Sequence, residues 1–240
     1  MKNSFESNLI KIPAKEVVDE LYGQPPTKGE KDVAEFRKKK IKKPEKMKNQ
    51  EFSEQIENWQ NFYQETFKIT PDFSDLEIPE KREGFDKLII VDKWMTVQKL
   101  FDKCKELFPV GKYIEENLDK IITSDRHAEK EAYAIWIRDR IEADEEWKNL
   151  SADDVEEEGL ITQTLEERLI QELEYFKRTK EHLDDKENAI TLCAGSRRSD
   201  GRVPNLGWHR NKLIIASCLS DRRSGHLRPR EVVALIEDGK

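Results

Sequence analysis

The chain has 240 residues, 39% of them charged and 36% hydrophobic, and a formal net charge of −7. No apolar run approaches the ~18–20 residues that a membrane-spanning helix needs. The start, Met1 to Lys11, has no apolar signal-peptide core, so the sequence predicts a cytoplasmic protein without membrane contact. Its three cysteines, Cys104, Cys193 and Cys218, are odd in number and show no CxxC, which argues against a disulfide framework or a structural zinc site.

The charge is unevenly spread. Residues 1–50 hold 13 Lys+Arg against 8 Asp+Glu, residues 51–190 hold 20 against 37, and residues 191–240 hold 10 against 5. The N-terminal excess gathers in Arg37, Lys38, Lys39, Lys40, Lys42, Lys43, Lys46 and Lys48. Such a run can grip a phosphate backbone, dock on the acidic middle or on another copy, or serve only as a solubilising tail.

In chain order, residues 1–50 read as a flexible basic arm. Gly23, Pro25, Pro26 and Gly29 break any early helix, and Pro44 interrupts one over 31–48. Residues 51–83 read as an amphipathic helix and a linker. Phe52, Ile56, Trp59, Tyr63 and Phe67 recur at spacings of 4, 3, 4 and 4, one face of a helix. That face packs either on the protein's own core or on a partner.

Residues 84–240 read as an α+β domain. Leu88 to Val91 is a buried strand. Thr96 caps a helix carrying Val97, Leu100, Phe101, Cys104, Leu107 and Phe108. Ile114, Leu118, Ile121 and Ile122 mark a short helix or a helix–strand junction. Tyr133 to Ile137 is apolar on both faces and predicts a central strand. Ser151 with Asp154, and Thr164 with Glu167, have capping-box spacing, the second opening a helix over 165–179. The period then changes to two, with strands at 190–194, 203–208 and 213–219 separated by turns at Ser199–Arg202 and His209–Lys212. Pro204 argues against a regular central strand. Pro229 predicts the first turn of a last helix with Val232, Val233, Leu235 and Ile236 facing inward. The expected architecture is a single mixed or mostly antiparallel sheet with helices packed on it, a C-terminal β-meander and an N-terminal helical or disordered arm.

Two constellations carry chemistry. Asp139, Glu142 and Glu146 follow the strand at 133–137; on a helix their spacings of 3 and 4 share one face. With Asp92, at the end of the other strand, they could offer oxygen donors to Mg²⁺ in a hydrolase or nuclease. Against this, Arg138 and Arg140 would neutralise them. The second constellation is the hairpin of Arg197, Arg198 and Arg202, extended by Arg210 and by Arg222, Arg223, Arg228 and Arg230, whose planar forks suit phosphate. The ordinary account is a solvated set of turns. The histidines, His127, His182, His209 and His226, lack metal-ligand spacing, and no nucleotide-binding or zinc motif is present. No cofactor is expected, and Mg²⁺ enters only with the hydrolase reading.

Gly84-Phe85-Asp86-Lys87-Leu88-Ile89-Ile90-Val91, Tyr133-Ala134-Ile135-Trp136-Ile137-Arg138-Asp139-Arg140, Leu192-Cys193-Ala194-Gly195-Ser196-Arg197 and Leu227-Arg228-Pro229-Arg230-Glu231-Val232-Val233 together resemble a family of bacterial proteins of unknown function over residues 84–233. The resemblance implies a shared folded body and transfers no activity. The leading functional expectation is a non-enzymatic interaction protein touching nucleic acid through Arg197, Arg198, Arg202, Arg210 and the run from Arg37 to Lys48. The alternatives are the metal-dependent hydrolase or nuclease and a purely protein-binding module anchored on the Trp59 face.

Overall fold

Local signals set the helix ends. In the computed structural model, which describes residues 46–47, 52–113, 115–129, 131–185 and 189–235, helix α1 spans Ser53–Phe67, α2 Val97–Leu107, α3 Ala152–Glu157 and α4 Leu165–Thr179. The Thr96 hydroxyl accepts from the Lys99 amide at 3.3 Å, and both capping boxes form, Ser151 with Asp154 and Thr164 with Glu167. Ile114 lies outside the described residues. Leu118–Lys120 forms a 3₁₀ turn leading into a strand at Ile122–Ser124, as a helix–strand junction requires.

The strands do not make one sheet. A mixed five-stranded sheet runs in the order β11 (Leu227–Pro229), β7 (Ile190–Leu192), β9 (Val203–His209), β10 (Lys212–Cys218), β4 (Val110–Lys112). Its two outer pairs are parallel and its inner pairs antiparallel. A separate antiparallel sheet runs β12 (Val232–Ala234), β6 (Tyr133–Ile137), β3 (Lys87–Val91). Two ribbons complete the set: β1 (Lys46–Met47) with β2 (Ile78–Pro79), and β5 (Ile122–Ser124) with β8 (Ser196–Arg198).

The chain crosses from the five-stranded to the three-stranded sheet at Arg230–Glu231. Pro229 has no N–H with which to extend the ladder. Arg230 is then drawn to Asp184 at 2.7 Å, while Glu231 is drawn to Arg138 at 2.7 Å. The helix expected from Pro229 onward is therefore replaced by β11 and β12. Val232 and Val233 are β-branched and pair with Ile137 and Trp136, a long-range gain that outweighs a local helix-start signal. Pro204 also differs from expectation, since β9 is flanked on both sides. The pairing with β7 covers only Asn205 and Leu206, so the proline sits just beyond the doubly paired stretch.

Helix α1 covers the free edge of β3. Trp59 Nε1 donates to Leu88 O at 3.1 Å, and the Tyr63 hydroxyl donates to Ile90 O at 2.8 Å. Two outward carbonyls of an edge strand are thereby satisfied by aromatic side chains, which blocks pairing with another chain. The Trp59 face is thus core, 4% exposed at Trp59 itself, and is not open to a partner. It joins β3, β6, α2 and α4 in the main apolar cluster, and a smaller cluster gathers Leu150, Val155, Ile190, Leu192, Val203, Cys218 and Leu227. All three cysteines are buried thiols.

Candidate functional site

Strand β3 ends at Val91, and the chain must turn before Thr96 caps α2. Asp92 is buried at this corner, and its amide donates to the Tyr63 hydroxyl at 2.8 Å. Trp94 follows at φ +66°, held there by a 2.7 Å bond from its amide to Ala128 O and by the bond from the Thr96 amide to its carbonyl. A left-handed bulky residue costs roughly 1–2 kcal/mol, and strain of this kind persists where the surroundings impose it. The indole is 59% exposed, while Met95 beside it is 2% exposed. The turn therefore buries the methionine and turns the larger aromatic outward.

Trp94 forms one wall of an open cleft of about 550 Å³. Ile69, Pro71 and Leu76, from the connector after α1, give it apolar lining. Asp72, Asp75, Asp92 and Glu131 bring four carboxylates to it, against the ammonium groups of Lys93 and Lys99. Burial pushes the Asp92 carboxyl above the ordinary range, and the Lys93 amide together with Lys99 and Lys93 pulls it part of the way back. The Lys93 ammonium lies 5.5 Å from the centre of the Trp94 ring, a distance at which a cation is attracted to the π face. An apolar wall, an exposed indole and an excess of carboxylate suit a cationic group that carries some apolar surface.

The four carboxylates expected to serve a metal are divided. Strands β3 and β6 are antiparallel, with Val91 opposite Tyr133 and Lys87 opposite Ile137. Asp92 therefore leaves one end of the pair and Asp139 the other, and the two ends are about 13 Å apart over the four steps of a five-residue strand. Residues 138–144 are not helical, so the shared face expected of Asp139, Glu142 and Glu146 does not form. Glu146 is taken by Arg140 at 2.5 Å and Arg138 at 3.2 Å, Glu142 lines a second hollow with Arg140, Lys148 and Arg228, and Asp139 is exposed. Among the described residues no group of three or more His, Cys, Asp or Glu side chains is disposed to hold a metal ion.

The arginines are divided in the same way. Arg198 and Arg202 stand at the Val203 end of β9 and Arg210 at the His209 end, about 20 Å away along the strand. Arg198 and Arg202 share Asp200, and Arg197 folds back onto the Ala194 and Ser196 carbonyls at 2.6 and 3.0 Å. Arg223 is bound to Asp154, Arg228 to Glu145 at 2.6 Å, and Arg230 to Asp184. The last two are buried. Arg37, Lys38, Lys39, Lys40, Lys42 and Lys43 lie outside the described residues.

A buried ionic chain lies outside every expectation drawn from the sequence. Asp184 accepts from Arg230 and Arg168, Arg168 donates to Glu172 at 2.8 Å, and Glu172 meets His182 Nδ1 at 2.9 Å. Asp184, Arg168 and Glu172 are fully shielded from water. The four-residue spacing of Arg168 and Glu172 on α4 was the one signal available beforehand. Trp94 gave none, because nothing in Val-Asp-Lys-Trp-Met-Thr distinguishes the tryptophan that is exposed from a neighbour that is not.

No family model, curated protein or solved structure matches the chain. Among the described residues no helix is long and apolar enough to cross a membrane.

Proposed function

We propose that this is an interaction protein that receives a cationic side chain of a protein partner in the cleft beside Trp94. The observation that carries the reading is the exposed Trp94 indole, fixed in a left-handed turn next to the buried Asp92 carboxylate in a concave site. The cleft's size falls in the range of sites that enclose a ligand group. A lysine or arginine would lay its methylene stem on Ile69 and Leu76, its charge toward Asp92 and Asp75, and its head on the indole. Lys93 already holds a cation near that ring, which supports the same chemistry.

The test is calorimetric titration with arginine- and lysine-containing peptides, acidic peptides, and single-stranded and duplex nucleic acid across a salt series. Binding of basic peptides that disappears in Trp94→Ala supports the reading. Salt-steep binding of nucleic acid that survives Trp94→Ala and fails in Arg198→Ala with Arg202→Ala would transfer the function to the arginine hairpin. Binding of neither class would overturn both.

A further inference from the structure

A second constellation lies at the N-terminus of α4, apart from the cleft. The ribbon of β5 and β8 sets Ser124 opposite Ser196, and the end of that ribbon rests on the first turn of α4. The Leu165 amide meets Ser196 Oγ at 2.9 Å, the Ser196 and Ser124 hydroxyls are 2.7 Å apart, and Ser124 Oγ meets Glu166 Oε2 at 2.7 Å.

The direction of this chain follows from its two ends. A backbone amide can only donate, so Ser196 accepts from Leu165. Once ionised, the Glu166 carboxylate can only accept, so Ser124 then donates to it. Ser196 must therefore donate to Ser124. The result is a hydroxyl whose proton is already held by a carboxylate base, on a serine that is itself half-buried. This is the nucleophile-and-base pairing of covalent catalysis, within the distance it requires. The base is fixed on a helix and the serine on a strand. Gly195, before Ser196, holds the two together: a β-carbon there would lie 2.7 Å from Thr162 O.

We infer that Ser124 is an activated nucleophile that accepts an acyl group from an activated carboxylic ester, with Glu166 as its base. In the step, Ser124 Oγ attacks the ester carbonyl and its proton passes to Glu166 Oε2. The new Oγ–C bond forms, and the C–O bond to the leaving alkoxide or phenolate breaks. The leaving group departs with the electron pair of that bond, and the proton on Glu166 is released to it or to water.

Burial raises the Glu166 carboxyl to about 7, the value at which a base works best near neutral pH. Glu167 on the same helix also raises this carboxyl, the Glu166 charge in turn pushes up Tyr133 of β6 and Cys193, and Arg126 stands against Glu167 at 2.7 Å.

The probe is p-nitrophenyl acetate with the full chain, read by nitrophenolate release and by mapping the acetyl group in the intact protein with mass spectrometry. One acetyl per chain on Ser124 is expected, with a rate that rises with pH through a midpoint near 7. Glu166→Gln should slow the acylation at least tenfold, and Ser124→Ala should abolish it. Acetylation that falls on lysines or on other serines, leaving Ser124 unmodified in the native chain, would overturn the inference whatever the variants do. So would a Glu166→Gln protein, folded by circular dichroism, that reacts at the native rate with no change in its pH profile. The outcome is independent of the cleft, since it needs neither Trp94 nor a partner.

Discussion

Asp184 and Arg230 meet at 2.7 Å across 46 residues of sequence, with the carboxylate fully shielded from water and the guanidinium nearly so. Thr191, on β7, donates to the same carboxylate at 2.5 Å, and Arg168, on α4, adds a second guanidinium at 2.9 Å. One buried carboxylate thus ties together the loop after α4, strand β7, the crossover after β11 and helix α4. Burying a charge is tolerated only where its partners are complete, and here two arginines converge on it.

Asp184→Asn keeps the shape and removes the charge, leaving Arg230 without a carboxylate and Arg168 with Glu172 alone. Loss of one member of a buried pair costs about 3–5 kcal/mol, which urea denaturation at pH 7 should register. Burial alone would raise the Asp184 carboxyl, but Arg230 and Arg168 outweigh it and hold the value below the ordinary range. Its contribution is therefore present above the unfolded value of about 3.9 and is lost as pH falls through the lower folded one. The gap between native and variant stability should narrow in that acid window and stay constant between pH 5 and 8.

Glu166 behaves in the opposite sense. Burial lifts its folded value to about 7, so between the unfolded value near 4.3 and that point the native state holds the extra proton. Stability must then fall as pH rises across this window. Glu166→Gln should remove that slope and stabilise the protein more at pH 8 than at pH 4. Chemical denaturation at the two values checks it, and equal differences at both would contradict the burial argument.

Trp94→Gly should separate stability from binding. Glycine adopts the +66° backbone without the strain of a β-carbon, so the variant should gain up to about 1 kcal/mol by urea midpoint. It should lose the response to basic peptides altogether. A fall in stability would mean that the exposed indole makes contacts worth more than its strain.

Tyr63→Phe tests the support under the cleft. It removes the bond to Ile90 O and the acceptor for the Asp92 amide. Leaving two buried backbone groups unmatched costs about 1–3 kcal/mol each. Because the phenol fixes the corner that presents Asp92 and Trp94, peptide affinity should also drop, visible by calorimetry under conditions where the variant is still folded.

Gly195→Ala should be among the most damaging single-methyl additions. The new β-carbon would meet backbone at Thr162 O, 2.7 Å away, and Gln163 at 3.2 Å, with no flexible side chain to yield. Overpacking of this type costs roughly 1–3 kcal/mol. The Ser196–Leu165 contact beside it should loosen, which hydrogen exchange at the Leu165 amide would report.

Features that depend on neighbours a few residues away are legible along the chain. Thr96, Ser151 and Thr164 are followed at the right distance by the groups that complete their caps, so the starts of α2, α3 and α4 were legible. The aromatic stripe from Phe52 to Phe67 left open whether it packs on the core or on a partner, and the structure puts it on the core, while the two-faced apolar run at 133–137 already predicted a central strand. Features that depend on partners far along the chain take shape only on folding. Val232 and Val233 became a strand because Ile137 and Trp136 were there to pair with them. Arg228 and Arg230, indistinguishable in sequence from the exposed Arg210, were buried because Glu145 and Asp184 reached them. The direction of β3 against β6 separated Asp92 from Asp139, and the turn after Val91 put Trp94 in water and Met95 in the core. Capping and periodicity are fixed by covalent distance, whereas a charge or an aromatic ring takes its role from the charges, carbonyls and solvent that folding brings to it.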